Sequence, residues 1–499
     1  MGNTAFYKWI WNQKENKRFL IIALLGTIVQ FIIFKFCYPF ADYFSDSYSY
    51  IYAAYANLNI NIWPIGYSKF LRGFHAITSS DTALISFQFF FYILSALYFF
   101  FTILYFFNPK KNTKLILFIF LFFNPLTLYI CNYVNSDPLF AALSVIWFTQ
   151  LIWMIFSPSK YQVFTHAIIL FLCFTVRNNA YYYPIVTVTG ILLSKHNRWL
   201  KFTGIVLPLL LIGIFVYRTR EAAYKLTGTR QFSLFTGWQL ANNALYMRGY
   251  IKTEPSDFKT PESKLLDSLS ESFYKTAPVG FNDFLPHYVA NFFIREPKSP
   301  LKEYFKLKFN PKYADEVIRD WAIASVAYED YGKTLIKNYP GAYIKHFILL
   351  NASNYFVPPL EKLEQYNLGS DWIDPIAKVW FNYKENKVTS ASNDIQKNIL
   401  MLIPSIFLFI NACVGVAFLL LLFVKIIERK SNIYFVIVLF FILFLLNLVF
   451  SISVTINVLR YQFFPMIVGG AFSLILIESF EKLFATRSGS RIGKIFAHN

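Results

Sequence analysis

Stretches of roughly twenty apolar residues, repeated along the chain, constrain this sequence more than any other feature, because each is long enough to cross a ~30 Å hydrocarbon layer as a helix. They begin near Phe19, Thr82, Lys114, Pro138, Val163, Tyr181, Lys201, Asn398, Asn432 and Phe463, about ten candidate spans. Apolar residues make up 56% of the 499 positions and charged ones only 15%, too lopsided a balance for a soluble chain of this length. Backbone groups in hydrocarbon must pair within their own segment, so the expectation is an all-α polytopic membrane protein.

The basic residues orient it. Lys8, Lys14, Lys17 and Arg18 precede the first run, and clusters follow the second (Lys110, Lys111, Lys114), sixth (Lys195, Arg198, Lys201), eighth (Lys425, Arg429, Lys430) and tenth (Lys482, Arg487, Arg491, Lys494), with Lys160 on the same side. Only Lys35, Lys69, Arg72, Arg177 and Arg460 flank the spans on the other side. The positive-inside rule then places both termini in the cytoplasm. Removing the first run as a signal peptide would invert every later loop, so it reads as a span. The net charge of +19 is mostly this cytoplasmic excess, which meets anionic lipid and implies no nucleic-acid partner.

Three regions follow: an N-terminal transmembrane module over 1–217, a lobe facing away from the cytoplasm over 218–397, and a C-terminal transmembrane module with a basic tail over 398–499. Within the lobe charge is nearly balanced, and the apolar period from Lys312 to Lys337 predicts a helix. A short apolar run at 340–356, closed by Pro358 and Pro359, predicts an interfacial or re-entrant helix.

Of the 28 acidic residues, the lobe holds most. Glu15, Glu428, Glu478 and Glu481 fall among cytoplasmic lysines and arginines. Asp42, Asp46, Asp81 and Asp137 lie at the outer ends of spans, where a carboxylate is a functional candidate. Asp42 and Asp46 occupy the first outer loop (about 41–81), four apart and able to share a helix face; capping a helix near Ser47 is the alternative role. Asp81 reads as the N-cap of the second span, and Asp137, before Pro138, suits both a cap and a site.

Arg177 and Arg460 are predicted at the same outer face. Guanidinium matches phosphate oxygens through paired donors, although an arginine there also suits simple snorkelling. A carboxylate able to accept a proton, arginines for an anionic headgroup, and many Tyr and Trp for sugar faces suggest glycosyl transfer from a lipid phosphate. The six His (75, 166, 196, 287, 346 and 498) are scattered, so no metal cluster at ligand spacing supports a metal and no cofactor is indicated, with a divalent metal left as the open alternative. The four Cys form no CxxC pair.

The acidic residue of Ser45-Asp46-Ser47-Tyr48-Ser49-Tyr50, the Pro64-Ile65-Gly66-Tyr67 stretch, Asn135-Ser136-Asp137-Pro138-Leu139-Phe140, and late Arg460-Tyr461 with Pro465 together resemble the GT-C superfamily of membrane glycosyltransferases, especially its protein O-mannosyltransferase and lipid A aminoarabinose transferase branch. The resemblance implies a GT-C-like transmembrane bundle of about ten helices with a mostly helical outer lobe. It implies an inverting transfer from a polyprenyl-phosphate sugar donor to a hydroxyl of a glycan, lipid or protein acceptor. Asp46 would be the catalytic base, with Asp42 and Asp137 as second acidic candidates. Arg460 and Arg177 would hold the donor phosphate, and Tyr461, Tyr67 and Tyr48 would line the pocket. The acidic-Pro-Leu-Phe stretch of relatives carries Glu more often than the Asp137 found here. The Phe-, Lys- and Asn-rich composition points to a bacterial inner membrane and an undecaprenyl carrier.

Two rival readings share these features. A flippase or transporter of lipid-linked sugars would want ionisable residues along a path through the membrane, whereas here they crowd at one face, and no internal repeat is evident. An O-antigen polymerase or ligase would also use lipid-linked glycans, but the early DSxSY and late RYxxxP stretches favour the transferase.

Overall fold

The computed structural model describes residues 3–277, 281, 291–391, 393–423 and 431–496, and its regular elements are helices. Among the described residues extended pairing is limited to two isolated bridges, Asp42 with Tyr133 and Trp372 with Lys387. Lys425, Arg429, Lys430, His287 and His498 lie outside the described residues, as do the side chains of Arg487, Arg491 and Lys494.

Among the described residues eight helices are long and apolar enough to cross a membrane: Lys14–Cys37, Asp81–Phe107, Lys111–Asn132, Ser136–Phe156, Arg198–Thr227, Asp394–Leu421, Asn432–Val454 and Leu459–Lys482. The other two expected spans are shorter helices, Lys160–Val176 with 17 residues and Tyr183–Leu193 with 11. What separates them is Arg177, extended at φ −150°, followed by a 3-10 turn over Asn178–Tyr182. Asn competes with helical pairing through its own side chain, and Pro184 restarts the helix near its first turn.

The inner helices are tied by polar atoms that find partners within the bundle, as a hydrocarbon setting demands. Asp81–Phe107 packs against Ser136–Phe156, where buried Trp153 donates its indole N–H to Thr102 Oγ1 at 2.9 Å. Trp147 donates to Thr187 Oγ1 at 2.9 Å and stacks on Tyr183 at 3.9 Å. Lys14–Cys37 and Arg198–Thr227 instead turn most of their apolar surface outward.

The segment between the transmembrane regions is helical. Its centre is the crossing of Thr236–Arg248 with Ala314–Asn338, the latter close to the helix predicted over Lys312 to Lys337. Gly237 and Gly332 let the two backbones touch, and Trp238 stacks on Trp321 at 4.0 Å across the contact. Two expected boundaries fall inside helices: Arg198–Thr227 runs past 217, and Asn393–Leu400 crosses 397.

The 340–356 run is helical through a π-helical turn at Ile344–Ile348 and ends at Phe356. Its Asn351 donates to the carbonyls of Ser451, Ile452 and Thr455, satisfying the free C=O groups at the end of Asn432–Val454. Pro358 and Pro359 then turn the chain, and Leu459 N–H pairs with Pro359 C=O at 2.9 Å. That pairing sets the following loop beside Arg460.

Candidate functional site

Two short backbone pairings assemble the site. Asp42 N–H donates to Asn132 C=O at 2.9 Å, and Val134 N–H donates to Asp42 C=O at 3.0 Å. The first loop is thereby stitched to the turn before Ser136–Phe156, and Asp46, in the first turn of Ser45–Tyr55, comes next to Asp137. Tyr50 OH and Ser136 Oγ, 3.1 Å apart, close the same joint.

Around this joint stands a chain of ion pairs. Arg460 Nη1 lies 3.3 Å from Asp46 Oδ2 and 3.4 Å from Asp137 Oδ2, and its Nε lies 3.5 Å from Glu361 Oε2. Arg177 pairs with the other oxygen of Asp137, and Arg295 Nη1 reaches Glu361 Oε1 at 2.8 Å. Three carboxylates thus meet three guanidiniums. The Asp46, Asp137, Glu361 and Arg460 side chains are each less than 15% exposed. Charges this deep persist only when paired.

Aromatic faces sandwich the cations. Arg460 sits 4.3 Å over Phe44 and 4.7 Å over Tyr461, Arg177 lies 5.2 Å over Tyr461, and Arg295 is 5.2 Å over Phe44. Delocalised guanidinium tolerates this stacking better than ammonium does. Burial pushes the Glu361 carboxyl above the usual range, against the pull of Arg295 and Arg460.

A cavity of about 410 Å³ opens on one side of the cluster, within the size range of small-ligand sites. Asp46, Arg177 and Tyr461 form its charged end, and Arg460 stands behind Asp46. Helix Thr236–Arg248 lines the cavity through Thr236, Gln239 and Asn243, while Trp63, Phe235, Tyr181 and Phe450 give it apolar faces.

The structure therefore brings together Asp46, Asp137, Arg177, Arg460 and Tyr461. Other expected residues stand elsewhere. Asp42 is buried away from the cavity and accepts the Asn367 N–H at 2.8 Å; burial raises its carboxyl to about 8. Tyr67 is fully buried and donates to Gln88 Oε1 at 2.8 Å, and Tyr48 stacks on Tyr43, so neither lines the cavity.

The capping roles shift as well. Ser80 rather than Asp81 caps Asp81–Phe107, its Oγ accepting from Ala83 N–H. Asp81 instead accepts from Ala41 N–H at 2.8 Å and Tyr383 OH at 2.7 Å, tethering the first loop. Asn135 rather than Asp137 caps Ser136–Phe156, and Ser47 Oγ, not Asp42 or Asp46, accepts the Phe44 N–H ahead of Ser45–Tyr55. With caps supplied by neutral neighbours, Asp46 and Asp137 are left to the arginines.

Glu361 and Arg295 were not anticipated from the sequence. Both lie in the charge-rich middle segment, where one more carboxylate or arginine carries no signal. The signal available for Glu361 was Pro358-Pro359, a forced turn directly after an apolar run. Among the described residues no group of three or more His, Cys, Asp or Glu is placed to hold a metal ion. Compared with family models, curated proteins and solved structures, the chain matches none of them.

Proposed function

We propose that this chain is a multi-pass membrane glycosyltransferase of GT-C type, transferring a sugar from a polyprenyl-phosphate carrier to a hydroxyl acceptor with inversion at the anomeric carbon. The observation that carries the proposal is a single cavity with a carboxylate and an arginine at one end, backed by a second, aromatic-stacked arginine. The reaction needs a proton acceptor beside a phosphate-binding pair, and those are the groups gathered there. The cavity faces away from the cytoplasm in the topology that the basic clusters set, in keeping with a bacterial inner-membrane enzyme using an undecaprenyl carrier.

In this scheme the donor phosphate competes with Asp46 for Arg460, and Arg177 supplies the second contact. Asp46, released, takes the proton of the acceptor hydroxyl. The acceptor oxygen bonds to the anomeric carbon from the face opposite the carrier. The bond between that carbon and the phosphate oxygen breaks, and its electron pair leaves with the polyprenyl phosphate. Arg460 and Arg177 neutralise the charge that develops on the leaving phosphate. Glu361 and Asp137 position the arginines.

The test is transfer of radiolabelled sugar from polyprenyl-phosphate donors to membrane-extract acceptors and to water, by the purified protein and by Asp46→Asn. Loss of a general base predicts a fall of at least ~100-fold with donor binding retained. Normal transfer by Asp46→Asn would remove the assigned base. A wild type that binds the lipids, moves them across vesicles and transfers nothing would make the protein a flippase.

A further inference from the structure

Building on the glycosyltransferase reading, we infer that the donor sugar is electrically neutral: a hexose, pentose or N-acetyl sugar carrying neither an ammonium nor a carboxylate. The inference comes from how charge is distributed around the cavity. Among its described lining residues only Asp46 and Arg177 are charged, both at the phosphate end. Every other polar residue that lines it is neutral, an amide or a hydroxyl, including Asn178, Thr236, Gln239, Asn243, Asn291 and Asn457.

This wall is built and held. Gln239 Nε2 donates to Asn243 Oδ1 at 2.9 Å, and Asn243 Nδ2 donates to the Val454 carbonyl at 2.7 Å. Thr455 Oγ1 donates to Asn291 Oδ1 at 3.2 Å, and Gln462 Nε2 to Asn457 Oδ1 at 2.9 Å. These bonds fix the amides' orientations, and among the described residues none donates to Gln239 Oε1. Sugar hydroxyls both donate and accept and carry no charge, which suits such a wall. Trp63, Tyr181, Phe235 and Phe450 provide faces for the sugar's C–H surfaces.

An ionised substituent has no partner there. The Asp46 carboxylate is held by Arg460 and then assigned to the acceptor proton, and Arg177 is assigned to the phosphate. Along the amide wall, away from Asp46 and Arg177, a sugar ammonium or carboxylate would lose its water and gain no counter-charge, a heavier penalty than any unmade hydroxyl contact.

The experiment measures binding to the full-length protein in nanodiscs by displacement of radiolabelled bare polyprenyl phosphate. The competitors are the same carrier bearing glucose, N-acetylglucosamine, aminoarabinose or galacturonate. The neutral pair is expected to bind at least ~30-fold more tightly than the charged pair, the scale of an unpaired buried charge. The variant Thr236→Asp adds a negative charge at an exposed lining position in the first turn of its helix, where acids are tolerated. It is expected to narrow the gap between glucose and aminoarabinose donors at least ~10-fold. Aminoarabinose or galacturonate donors bound by the wild type as tightly as glucose donors would overturn the inference while leaving the glycosyltransferase reading intact. If neither bare nor glycosylated carrier binds, that reading falls and the inference falls with it.

Discussion

Substitution of one glycine tests whether the cavity wall rests on the crossing of two helices. Gly237 lies in the first turn of Thr236–Arg248, against Ala314–Asn338. A methyl group there would stand 1.7 Å from the Ser325 carbonyl oxygen and 2.8 Å from the Glu329 nitrogen. Both are backbone atoms, with no rotamer to yield. Ordinary contact begins near 3.4 Å, so the two helices must part by more than an ångström. The cost of Gly237→Ala is then at or above the upper end of overpacking, ~3 kcal/mol. For a cooperative unit the size of the middle segment, that is a drop of roughly 6–12 °C in Tm. The same helix carries Thr236, Gln239 and Asn243, so donor affinity should fall with it. The control is Gly213→Ala inside Arg198–Thr227, where nothing lies within 4 Å of the added carbon; there alanine should stabilise by ~0.5–1 kcal/mol. Thermal unfolding in detergent reads both signs. A Gly237→Ala protein melting within about 2 °C of wild type, well inside the expected shift, would refute the reasoning.

Three further outcomes separate the roles of the charged residues. Burial lifts the Asp42 carboxyl from 3.8 to about 8, so between those values the folded chain keeps a proton that the unfolded chain has lost, and stability falls as pH rises. Asp42→Asn, which keeps the acceptor for Asn367, should flatten that slope in pH-dependent unfolding and leave sugar transfer near wild type. Arg460→Lys replaces a fork that reaches Asp46, Asp137 and Glu361 by a single point of charge, and donor affinity measured by lipid displacement should drop ~10-fold or more. Glu361→Gln takes away the carboxylate that Arg295 and Arg460 share, so it should lower transfer ~10-fold through a misplaced Arg460 and lower Tm with it, since each guanidinium loses a buried partner.

Much of the architecture was legible because membrane constraints write themselves into long runs of residues. Eight of the expected spans fold as helices of spanning length, and the two that do not are those interrupted by Arg177, Asn178 and Asn179. Asp46, Asp137, Arg177 and Arg460 were legible for the same reason, since a charge beside an apolar run stands out. Side-chain direction was not legible. Asp42 and Asp46 could share a face at a spacing of four, yet the helix begins only at Ser45, so Asp42 belongs to the strand-like stitch before it and points elsewhere. Tyr67 and Tyr48 sit in the right stretch of sequence but spend their rings on packing. Glu361 and Arg295 were hidden by the charged segment around them.

The distribution of the site over the chain explains why its loops are held so firmly. Glu361 has a left-handed backbone at φ 51°, as do Lys362 at 63°, Asn367 at 46° and Leu368 at 56°. Non-glycine residues hold that region at a cost of about 1–3 kcal/mol each, and only where surrounding contacts impose it. The contacts are specific: Asp42 accepts Asn367 N–H at 2.8 Å, Tyr366 OH donates to Ala41 C=O at 3.0 Å, and Gln396 Nε2 donates to Leu363 C=O at 2.7 Å. Asp42 thus works on the cavity indirectly, by pinning the loop that presents Glu361 to Arg460. The two aspartates of the first loop divide the labour, one anchoring that loop and the other facing the cavity. If so, Asp42→Ala, which removes the acceptor that Asp42→Asn keeps, should slow transfer through the same step as Glu361→Gln. In a double-mutant cycle the two losses should fail to add by at least ~0.5 kcal/mol, as coupled residues do. Full additivity would mean that the strained loop does not carry Glu361 into place.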